Sequence, residues 1–458
     1  MFLLSRYSIA TPIDGTNRVM LFSTRTGKLC SITETEYNKV LLGEIDTISE
    51  NTIDILLDNE LLVGNHENEL ATIIAENKSS QLDKTEFYQV IMPSAMCQLG
   101  CGYCGQNHTK DYISSNFSNK IIERFDEKLS EKVYKHMSIA WFGGEPLMGL
   151  PQIREMTKSL YALADKHNCT YSSKVVTNGL SLKLPIFLEL VQKLGVKTIE
   201  VTLDGVAMYH DKRRHTKDGL SSFDIIFNNL LNIFNYSNFK ELGCAVSIRC
   251  NVDSTNFDGV KPLIHLLAEH NLQDKIAFFY VAPIHSWGNE AHLVSLEKEK
   301  FGEMEMEWLI EQYKYGFRPS LLPQRNKSVC LSVSSDSEVF DAFGNVYDCT
   351  ETPLVKTYKD TPYVLGNLTD GIENISEHRP LVNFYDEVNE GSYPCTTCPM
   401  LPSCGGGCPK SWREGIMACP PPKFNIKDRM LLYYFLRKHG VEALKENLQE
   451  QETEAILN

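Results

Sequence analysis

Apolar strands alternating with amphipathic helices fill the middle of the chain and constrain its fold more than any other feature. The six predicted strands are Phe87–Met92, Ile139–Phe142, Lys174–Thr177, Thr198–Leu203, Ala245–Val252 and Ile276–Ala282. The helices predicted between them are Ile121–His136, Ile153–His167, Pro185–Leu194, Phe223–Phe234 and Val260–His270. This alternation predicts a parallel α/β sheet with helices outside it, either open or closed into a barrel. In parallel barrels the chemistry lies at the carboxyl ends of the strands.

A loop with three closely spaced cysteines follows the first predicted strand. It reads Met96-Cys97-Gln98-Leu99-Gly100-Cys101-Gly102-Tyr103-Cys104-Gly105. Three thiolates in one tight loop can hold a four-iron cluster by three of its irons, which leaves the fourth iron open to a ligand. A zinc knuckle and a set of buried structural thiols are the alternatives, although structural zinc sites favour four ligands.

The spacing of Cys97, Cys101 and Cys104, with Tyr103 directly before the third cysteine, resembles the signature of radical S-adenosylmethionine (SAM) enzymes. In that family the open iron chelates SAM, and one electron from the cluster cleaves it to a 5′-deoxyadenosyl radical that abstracts hydrogen. The cluster and cofactor supply the chemistry, and the protein orients them. Six βα units are too few for an eight-stranded barrel, so the resemblance implies the partial (β/α)6 TIM-like barrel of this family.

Segments at the ends of the later strands match cofactor-binding segments of the family. Gly143-Gly144-Glu145-Pro146 follows the second strand, and Glu145 is the candidate acceptor for the amino group of SAM. The full set of cofactor-binding candidates is Tyr103, Gly143, Gly144, Glu145, Thr177, Asn178, Thr202, Asp204 and Arg214. Ordinary strand-to-loop turns are the alternative for the Asn-Gly and Asp-Gly pairs, and a surface ion pair is the alternative for Arg214. Arg249 and Asn251 share one face of the fifth strand and reach the pocket if that face points inward.

A second cysteine array occupies the C-terminal third. Its spacing resembles the SPASM extension of peptide and sulfatase maturases, and its members are Cys330, Cys349, Cys395, Cys398, Cys404, Cys408 and Cys419. The resemblance implies two auxiliary [4Fe-4S] clusters beside the radical SAM cluster. The first would use Cys330, Cys349 and Cys408, and the second would use Cys395, Cys398, Cys404 and Cys419. A fourth ligand of the first cluster is not identified, and zinc ribbons are the alternative for the C-x-x-C pair.

The remaining four cysteines lack the spacing of metal ligands. They are Cys30, Cys169, Cys244 and Cys250. Free cysteine behaves as a small buried hydrophobe, so these four are predicted to lie in the core.

A small winged-helix-like module is predicted in residues 1–80. Two strands, Arg18–Phe22 and Lys28–Ile32, precede a helix that begins at Thr33 with a capping box. A second helix is predicted over Glu50–Leu62, and Glu67–Lys84 is predicted as a linker or a weakly specified helix. Peptide maturases often use such a module to capture a leader peptide, and a structural cap on the barrel is the alternative. The predicted division is completed by a radical SAM partial barrel (86–315), a SPASM domain (316–430) and a helical tail (431–458).

Composition limits the compartment and the partners. The 458 residues are 42% hydrophobic and 23% charged, and they contain neither an apolar run long enough to span a membrane nor a secretory signal. Fourteen cysteines in such a chain argue for metal chemistry rather than disulfides. The net charge of −14 argues against nucleic-acid binding. These features predict a cytoplasmic protein without a membrane or nucleic-acid partner.

The resemblance implies a maturase that abstracts hydrogen from a ribosomally made precursor peptide and installs an oxidative intramolecular crosslink. Thioether, ether and carbon–carbon bonds all remain open. The expected partners are the precursor peptide with its leader and a low-potential electron donor such as flavodoxin or ferredoxin. No catalytic base is identified, although five acidic residues lie near the second SPASM cysteine: Asp336, Glu338, Asp341, Asp348 and Glu351.

Three other functions remain as alternatives. Formylglycine formation of the anaerobic sulfatase-maturase type is disfavoured, because Thr350 follows Cys349 where those enzymes typically place an aspartate. A peptide epimerase is disfavoured because a redox-neutral reaction needs no electron sink. A non-catalytic iron–sulfur or leader-binding scaffold is disfavoured because the first cysteine triad and Glu145 are present.

Overall fold

The structure, a computed structural model, describes residues 2–82 and 85–457, with the backbone alone for residues 447–457. Its strands are β1 (Phe2–Leu4), β2 (Ser8–Ile13), β3 (Arg18–Ser23), β4 (Lys28–Thr33), β5 (Leu62–Gly64), β6 (Glu86–Ile91), β7 (His136–Trp141), β8 (Thr170–Thr177), β9 (Val196–Thr202), β10 (Ala245–Val252), β11 (Phe279–Pro283), β12 (Val339–Phe340), β13 (Asn345–Tyr347) and β14 (Val364–Asn367). Its α-helices are α1 (Glu34–Leu41), α2 (Glu50–Asp58), α3 (Glu69–Leu82), α4 (Ser115–Glu131), α5 (Leu150–Lys166), α6 (Leu184–Lys193), α7 (Ala207–Arg213), α8 (Phe223–Phe234), α9 (Val260–Glu269), α10 (Lys298–Lys314), α11 (Phe384–Asn389), α12 (Leu401–Cys404), α13 (Pro409–Arg413) and α14 (Pro422–Leu457).

A nine-stranded sheet forms the centre of the molecule. Strands β6 to β11 pair in chain order, each parallel to the next. Strand β12 adds in parallel to the free side of β6, and β13 and β14 follow as an antiparallel extension. Within the described ranges β11 does not pair back with β6, so the sheet stays open. This arrangement confirms the predicted α/β fold with a partial, TIM-like barrel.

The main hydrophobic core lies between this sheet and the helices outside it. Helix α8 shows why its sequence folds this way, since its apolar residues recur at helical spacing and become buried: Phe223, Ile226, Phe227, Leu230, Ile233 and Phe234. Strand β10 alternates: Val246, Ile248, Cys250 and Val252 enter this core, whereas Ser247, Arg249 and Asn251 lie on the other face of the strand. Burying each large apolar side chain contributes about 1.5–3 kcal/mol, so this packing fixes the strand ends that build the site.

The predicted element bounds hold where the apolar pattern is strong. Helix α8 and strand β10 have the bounds that the sequence predicts. Helix α4 begins six residues before the predicted Ile121, because the Ser114 side chain accepts the Phe117 N–H (3.2 Å) and caps it there. The predicted C-terminal end of that helix was wrong, since His136 opens β7.

The N-terminal residues form a three-stranded antiparallel sheet, β2-β3-β4, and a separate β1–β5 pair. The capping box of Thr33 and Glu36 is present at the start of α1. Helix α2 ends at Asp58, short of the predicted Leu62, because Leu62 enters β5 instead. Most of the segment predicted as a linker or weak helix forms α3, and its residues Asp83 and Lys84 lie outside the described residues.

The N-terminal sheet packs on the rest of the molecule. Met20 and Phe22 of β3 share one hydrophobic cluster with Leu309 of α10 and Met430 of α14. Helix α14 begins at Pro422, ahead of the predicted tail, and has non-helical backbone at Asn425 and Gly440. None of the helices in the described ranges is long and apolar enough to cross a membrane.

Candidate cofactor site and auxiliary cysteine sites

A cavity of about 250 Å³ lies at the carboxyl ends of the parallel strands. Eight of the nine predicted cofactor-binding residues line it, together with the whole first cysteine triad: Tyr103, Gly143, Gly144, Glu145, Thr177, Asn178, Thr202, Arg214, Cys97, Cys101 and Cys104. The ninth, Asp204, does not line it. We call this space the cofactor cavity. The parallel sheet therefore brings residues that are far apart in the sequence, such as Cys97 and Arg214, around one volume.

Backbone hydrogen bonds hold the cysteine loop against the segment after α7. Gly100 N–H donates to His215 O (2.9 Å) and Gly102 N–H donates to Arg213 O (3.0 Å). Asn178 Nδ2 lies 3.7 Å from Cys97 Sγ and is positioned to donate to it. The loop is thus tied to two strand-end segments, which fixes the direction of its thiols.

The carboxylate of Glu145 is fully buried at the edge of the cofactor cavity. It accepts hydrogen bonds from Asn178 N–H (2.7 Å), Thr177 Oγ1 (2.7 Å) and Leu147 N–H (3.0 Å). Burial raises the pKa of Glu145, and these hydrogen bonds oppose the rise. A carboxylate offers about four acceptor positions, so one position remains for a donor in the cavity.

The glycine pair before Glu145 allows the strand end to approach the cysteine loop. A Cβ atom on Gly144 would lie 2.9 Å from the carbonyl oxygen of Met96, and Gly143 has a left-handed φ of +107°. Glu145 N–H donates to the same Met96 oxygen (2.8 Å). Only glycine fits this approach without moving the cysteine loop.

Asp204 positions Tyr103 instead of lining the cavity. Tyr103 Oη donates to Asp204 Oδ2 (2.7 Å) and accepts from Arg214 Nη1 (2.5 Å) and Asn251 Nδ2 (3.2 Å). The other Asp204 oxygen accepts from Asn251 N–H (2.9 Å). Burial raises the pKa of Tyr103 well above its ordinary value, so the phenol stays protonated and remains a donor to Asp204.

Sequence reasoning missed Arg213, whose guanidinium lies 4.9 Å from the ring centre of Tyr103. Arg213 also forms a buried ion pair with Asp253 (2.7 Å), which holds the guanidinium against the ring. The adjacent basic pair Arg213-Arg214 was the available signal. The two arginines contact Tyr103 differently: Arg214 lines the cofactor cavity, whereas the guanidinium of Arg213 lies over the ring of Tyr103.

Four ionisable residues outside the predicted cofactor-binding set also line the cofactor cavity. They are Glu200, Arg249, His285 and Glu351. Arg249 Nε donates to Asn251 Oδ1 (2.7 Å), and its Nη1 lies 3.9 Å from Glu200. Of the five acidic residues near the second SPASM cysteine, Glu351 is the one that lines this cavity. Burial raises the pKa of Glu351, and the charge of Arg249 opposes the rise.

A second and larger cavity of about 840 Å³ adjoins the first. The two share the wall Pro283, Ile284, His285 and Trp287. Four of the SPASM-like cysteines line the larger space, which we call the auxiliary cavity: Cys330, Cys404, Cys408 and Cys419. The residues that the cofactor cavity and the auxiliary cavity share thus belong to the end of β11 and to the loop that follows it.

Lys410 holds this shared wall from the C-terminal side. Its side chain is fully buried, and its Nζ lies 4.1 Å from the ring centres of both Trp287 and Tyr358. The ammonium donates to Tyr358 Oη (2.6 Å) and pairs with Glu414 (2.9 Å). A desolvated cation over aromatic faces contributes about 2 kcal/mol or more.

Four of the seven SPASM-like cysteines surround a small cavity beside Lys423, namely Cys395, Cys398, Cys404 and Cys419. Lys423 Nζ donates to Cys419 Sγ (3.2 Å). Cys404 and Cys419 also line the auxiliary cavity, together with Cys330 and Cys408. The pKa of Cys349 is raised well above its ordinary value, first by burial and then by the charge of Glu351. The division of these cysteines into two ligand sets stays a prediction.

A glycine also permits the turn between Cys404 and Cys408. Gly407 has a φ of +77°, and a Cβ atom there would lie 2.3 Å from the carbonyl oxygen of Ala418. The chain around Cys408 therefore packs directly on the segment that leads to Cys419. The predicted core cysteines Cys169, Cys244 and Cys250 are buried in the main core, and Cys30 is half-buried against the N-terminal core.

Within residues 2–82 and 85–457, no group of three or more His, Cys, Asp or Glu side chains is spaced to share one metal ion. An iron–sulfur cluster binds each cysteine through a different iron, so this finding concerns single-ion sites. Burial raises the pKa of Cys97 to about 12 and that of Cys101 to about 11. Metal ligation requires deprotonated thiols, so loading a cluster would release protons. Three thiols that line one cavity, with a free acceptor position on Glu145, fit a cluster with a bound amino acid group.

Residues 91–265 match the radical SAM superfamily. This segment is a radical SAM domain. It contains the cysteine triad, the strand-end segments, the last residue of β6 and strands β7 to β10, and therefore most of the residues that line the cofactor cavity. A radical SAM domain implies SAM and one [4Fe-4S] cluster as cofactors.

Two known proteins are similar to most of the chain. The radical SAM cyclopropyl synthase TigE of Paramaledivibacter caminithermalis is 23% identical over 89% of this chain and 89% of its own length. The uncharacterized protein sll1766 of Synechocystis sp. is 23% identical over 71% of this chain and 85% of its own. Among solved structures, anSMEcpe with bound AdoMet superposes with a TM-score of 0.56 at 19% identity, over 78% of this chain and 95% of that chain. The last likeness shows a shared fold.

Proposed function

We propose that the protein is a radical SAM maturase that acts on a ribosomally made precursor peptide and installs an oxidative intramolecular crosslink. The observation that carries this proposal is the wall shared by the cofactor cavity and the auxiliary cavity. Oxidation of a substrate needs an electron acceptor near the site of hydrogen abstraction. Four predicted cluster ligands face the space directly behind this wall.

In this proposal Cys97, Cys101 and Cys104 hold the radical SAM cluster, and Glu145 accepts a hydrogen bond from the amino group of SAM. When bound, the cluster and SAM supply hydrogen-atom abstraction. Tyr103 forms one wall of the SAM site and is held in place by Asp204 and Arg213. The protein keeps this geometry rigid through buried hydrogen bonds, as efficient positioning requires.

The two predicted sets of SPASM-like cysteines hold the auxiliary clusters in this proposal. An oxidative crosslink removes two hydrogen atoms from the peptide, one as a hydrogen atom and the other as a proton and an electron. Bound SAM would supply the abstraction of the hydrogen atom, and clusters held by these cysteines would accept the electron. A low-potential flavodoxin or ferredoxin would supply the electron that each cleavage of SAM consumes. Glu200, Arg249 and Glu351 line the substrate end of the cofactor cavity.

One comparison favours a bond type, and another supports a peptide substrate. TigE is by name a cyclopropyl synthase, which closes a ring of carbon–carbon bonds, so a carbon–carbon link is the first candidate here. A solved anSMEcpe structure, with a TM-score of 0.55, contains AdoMet and a Cp18Cys peptide. The N-terminal sheet β2-β3-β4 ends in exposed strand edges, where a leader peptide adds as a further strand in this proposal.

The test is anaerobic co-expression of the enzyme with a short peptide encoded beside its gene, followed by high-resolution mass spectrometry. We expect the loss of two hydrogens per modified site together with 5′-deoxyadenosine. The matched control is Cys101→Ala, which removes one triad ligand and leaves the auxiliary cysteines intact. An unchanged peptide mass with active SAM cleavage would contradict crosslinking, and incorporation of deuterium from the solvent would then identify an epimerase.

A further inference from the structure

The last strand of the parallel sheet has a free edge. Strand β11 pairs with β10 on one side, and within the described ranges no strand pairs with its other side. Ile248 N–H donates to Phe278 O (2.8 Å) and Ile284 N–H donates to Val252 O (3.0 Å), which sets the alternation of the ladder. The backbone groups of Tyr280 and Ala282 therefore face β10, and those of Phe279 and Val281 face away from it. In the described part of the chain, no hydrogen bond reaches the backbone of Phe279 or Val281.

A cavity of about 520 Å³ lies against this free edge. Phe279, Tyr280 and Val281 form one wall, and Trp308 and Gln312 of α10 form the opposite wall. The oxygen of the Gln273 side chain faces the same region and is buried without a hydrogen-bond partner. Free backbone donors and acceptors along a strand edge are complementary to the backbone of an extended polypeptide, which would pair with β11 at a distance of about 4.8 Å between the two strands.

The edge cavity adjoins the two places that a precursor peptide must reach. Glu200 lines both the edge cavity and the cofactor cavity. At the other end, Pro319 and Ser320 line both the edge cavity and a cavity of about 540 Å³. That third cavity is also lined by Lys28 and Leu29 of β4, in the N-terminal sheet.

We infer that the free edge of β11 binds an extended segment of the precursor peptide, between its leader and the residue that is modified. This inference rests on the proposed function and specifies the route of the peptide. The segment pairs with the backbone of Phe279 and Val281 and continues past Glu200 into the cofactor cavity. The sheet thereby gains a strand on binding, and the modified residue is placed by main-chain hydrogen bonds whatever its neighbours in the peptide are.

Hydrogen exchange of the cluster-loaded enzyme, with and without the precursor peptide, tests this route at single-residue resolution. We expect exchange at the amides of Phe279 and Val281 to slow at least about tenfold when the peptide is bound. The amides of Tyr280 and Ala282, already bonded to β10, are the internal reference. Loss of two hydrogens from the same peptide tests the proposed function separately. A modified peptide without protection at Phe279 and Val281 would overturn the inference.

A pair of substitutions at one position isolates the backbone donor. Val281→Pro removes the free N–H, and proline is tolerated where an edge-strand N–H faces away from the ladder. Val281→Ala shortens the side chain and keeps the N–H. We expect Val281→Pro to weaken binding of the precursor peptide about fivefold and Val281→Ala to change it less than twofold, measured by fluorescence anisotropy. Equal affinities for the two variants would overturn the inference.

Discussion

The junction between the barrel and the auxiliary extension depends on one buried carboxylate, and its removal gives the sharpest prediction. Glu338, directly before β12, is fully buried. Arg124 of α4 donates to both of its oxygens (2.7 and 2.6 Å), Arg379 donates to one (2.6 Å), and Lys128 lies 3.1 Å away. Three cations from the two sides of the junction therefore converge on Glu338.

The pKa of Glu338 gives the size of this interaction. Burial alone would raise that pKa, but hydrogen bonds from Arg124 and the nearby charges of Lys128 and Arg379 lower it from 4.5 to about 2. Burial lowers the pKa of Lys128, and its attraction to Glu338 opposes this change. The lowered pKa of Glu338 corresponds to about 3 kcal/mol. This contribution is complete above pH 4.5 and is lost as the pH falls toward 2.

Glu338→Gln should therefore weaken the attachment of β12 to β6 at neutral pH by about 3 kcal/mol. Two amides of the β6 segment report on that attachment: Val90 N–H donates to Glu338 O (2.9 Å) and Met92 N–H donates to Phe340 O (2.8 Å). We expect their hydrogen exchange at pH 7 to accelerate about 100-fold. Asp336→Asn is the matched control, because its partly exposed pair with Lys132 is worth less than about 1 kcal/mol. Equal exchange rates in the two variants would refute the reasoning.

Three further substitutions test the site. Tyr103→Phe removes the hydroxyl that the buried Asp204 carboxylate and Arg214 guanidinium share, so SAM should bind about tenfold more weakly in calorimetry. An unchanged affinity would contradict this role of the hydroxyl. Lys410→Met removes the caged cation and should lower the free energy of unfolding by about 2 kcal/mol in urea, whereas Lys410→Arg should lose less. Gly407→Ala clashes with the opposing backbone and should reduce bound iron by about four atoms per chain, measured against Gly415→Ala, where a Cβ meets open space.

The sequence predicted the barrel well, because the helices and buried strands there have strong apolar periodicity. Helix α8 and strand β10 show this most clearly. Strands β1, β2 and β5 were not predicted, because they are short and their pairing depends on segments far apart in the chain. Local patterns carry no information about such partners.

The sequence predicted those residues of the cofactor cavity that belong to motifs at strand ends. Those motifs meet around the cofactor cavity because parallel strands deliver their carboxyl ends to one edge of the sheet. Asp204 belongs to such a motif, but its side chain binds Tyr103 and does not line the cavity. The sequence does not predict this hydrogen bond, because the two residues are brought together only by the fold. Glu200 and His285 were missed, because a single charged residue in or after a strand has no spacing that marks it.

The placement of β12 on the outer side of β6 has a consequence for how this fold can be divided. The extension covers one of the two lateral edges of the barrel sheet with its own backbone. A barrel expressed without residues after about 330 would expose the β6 edge, and uncovered edges of this kind recruit other chains and aggregate. The C-terminal extension thus also protects the barrel from aggregation. Replacing it with the extension of another enzyme would require a first strand that pairs in register with Val90 and Ile91.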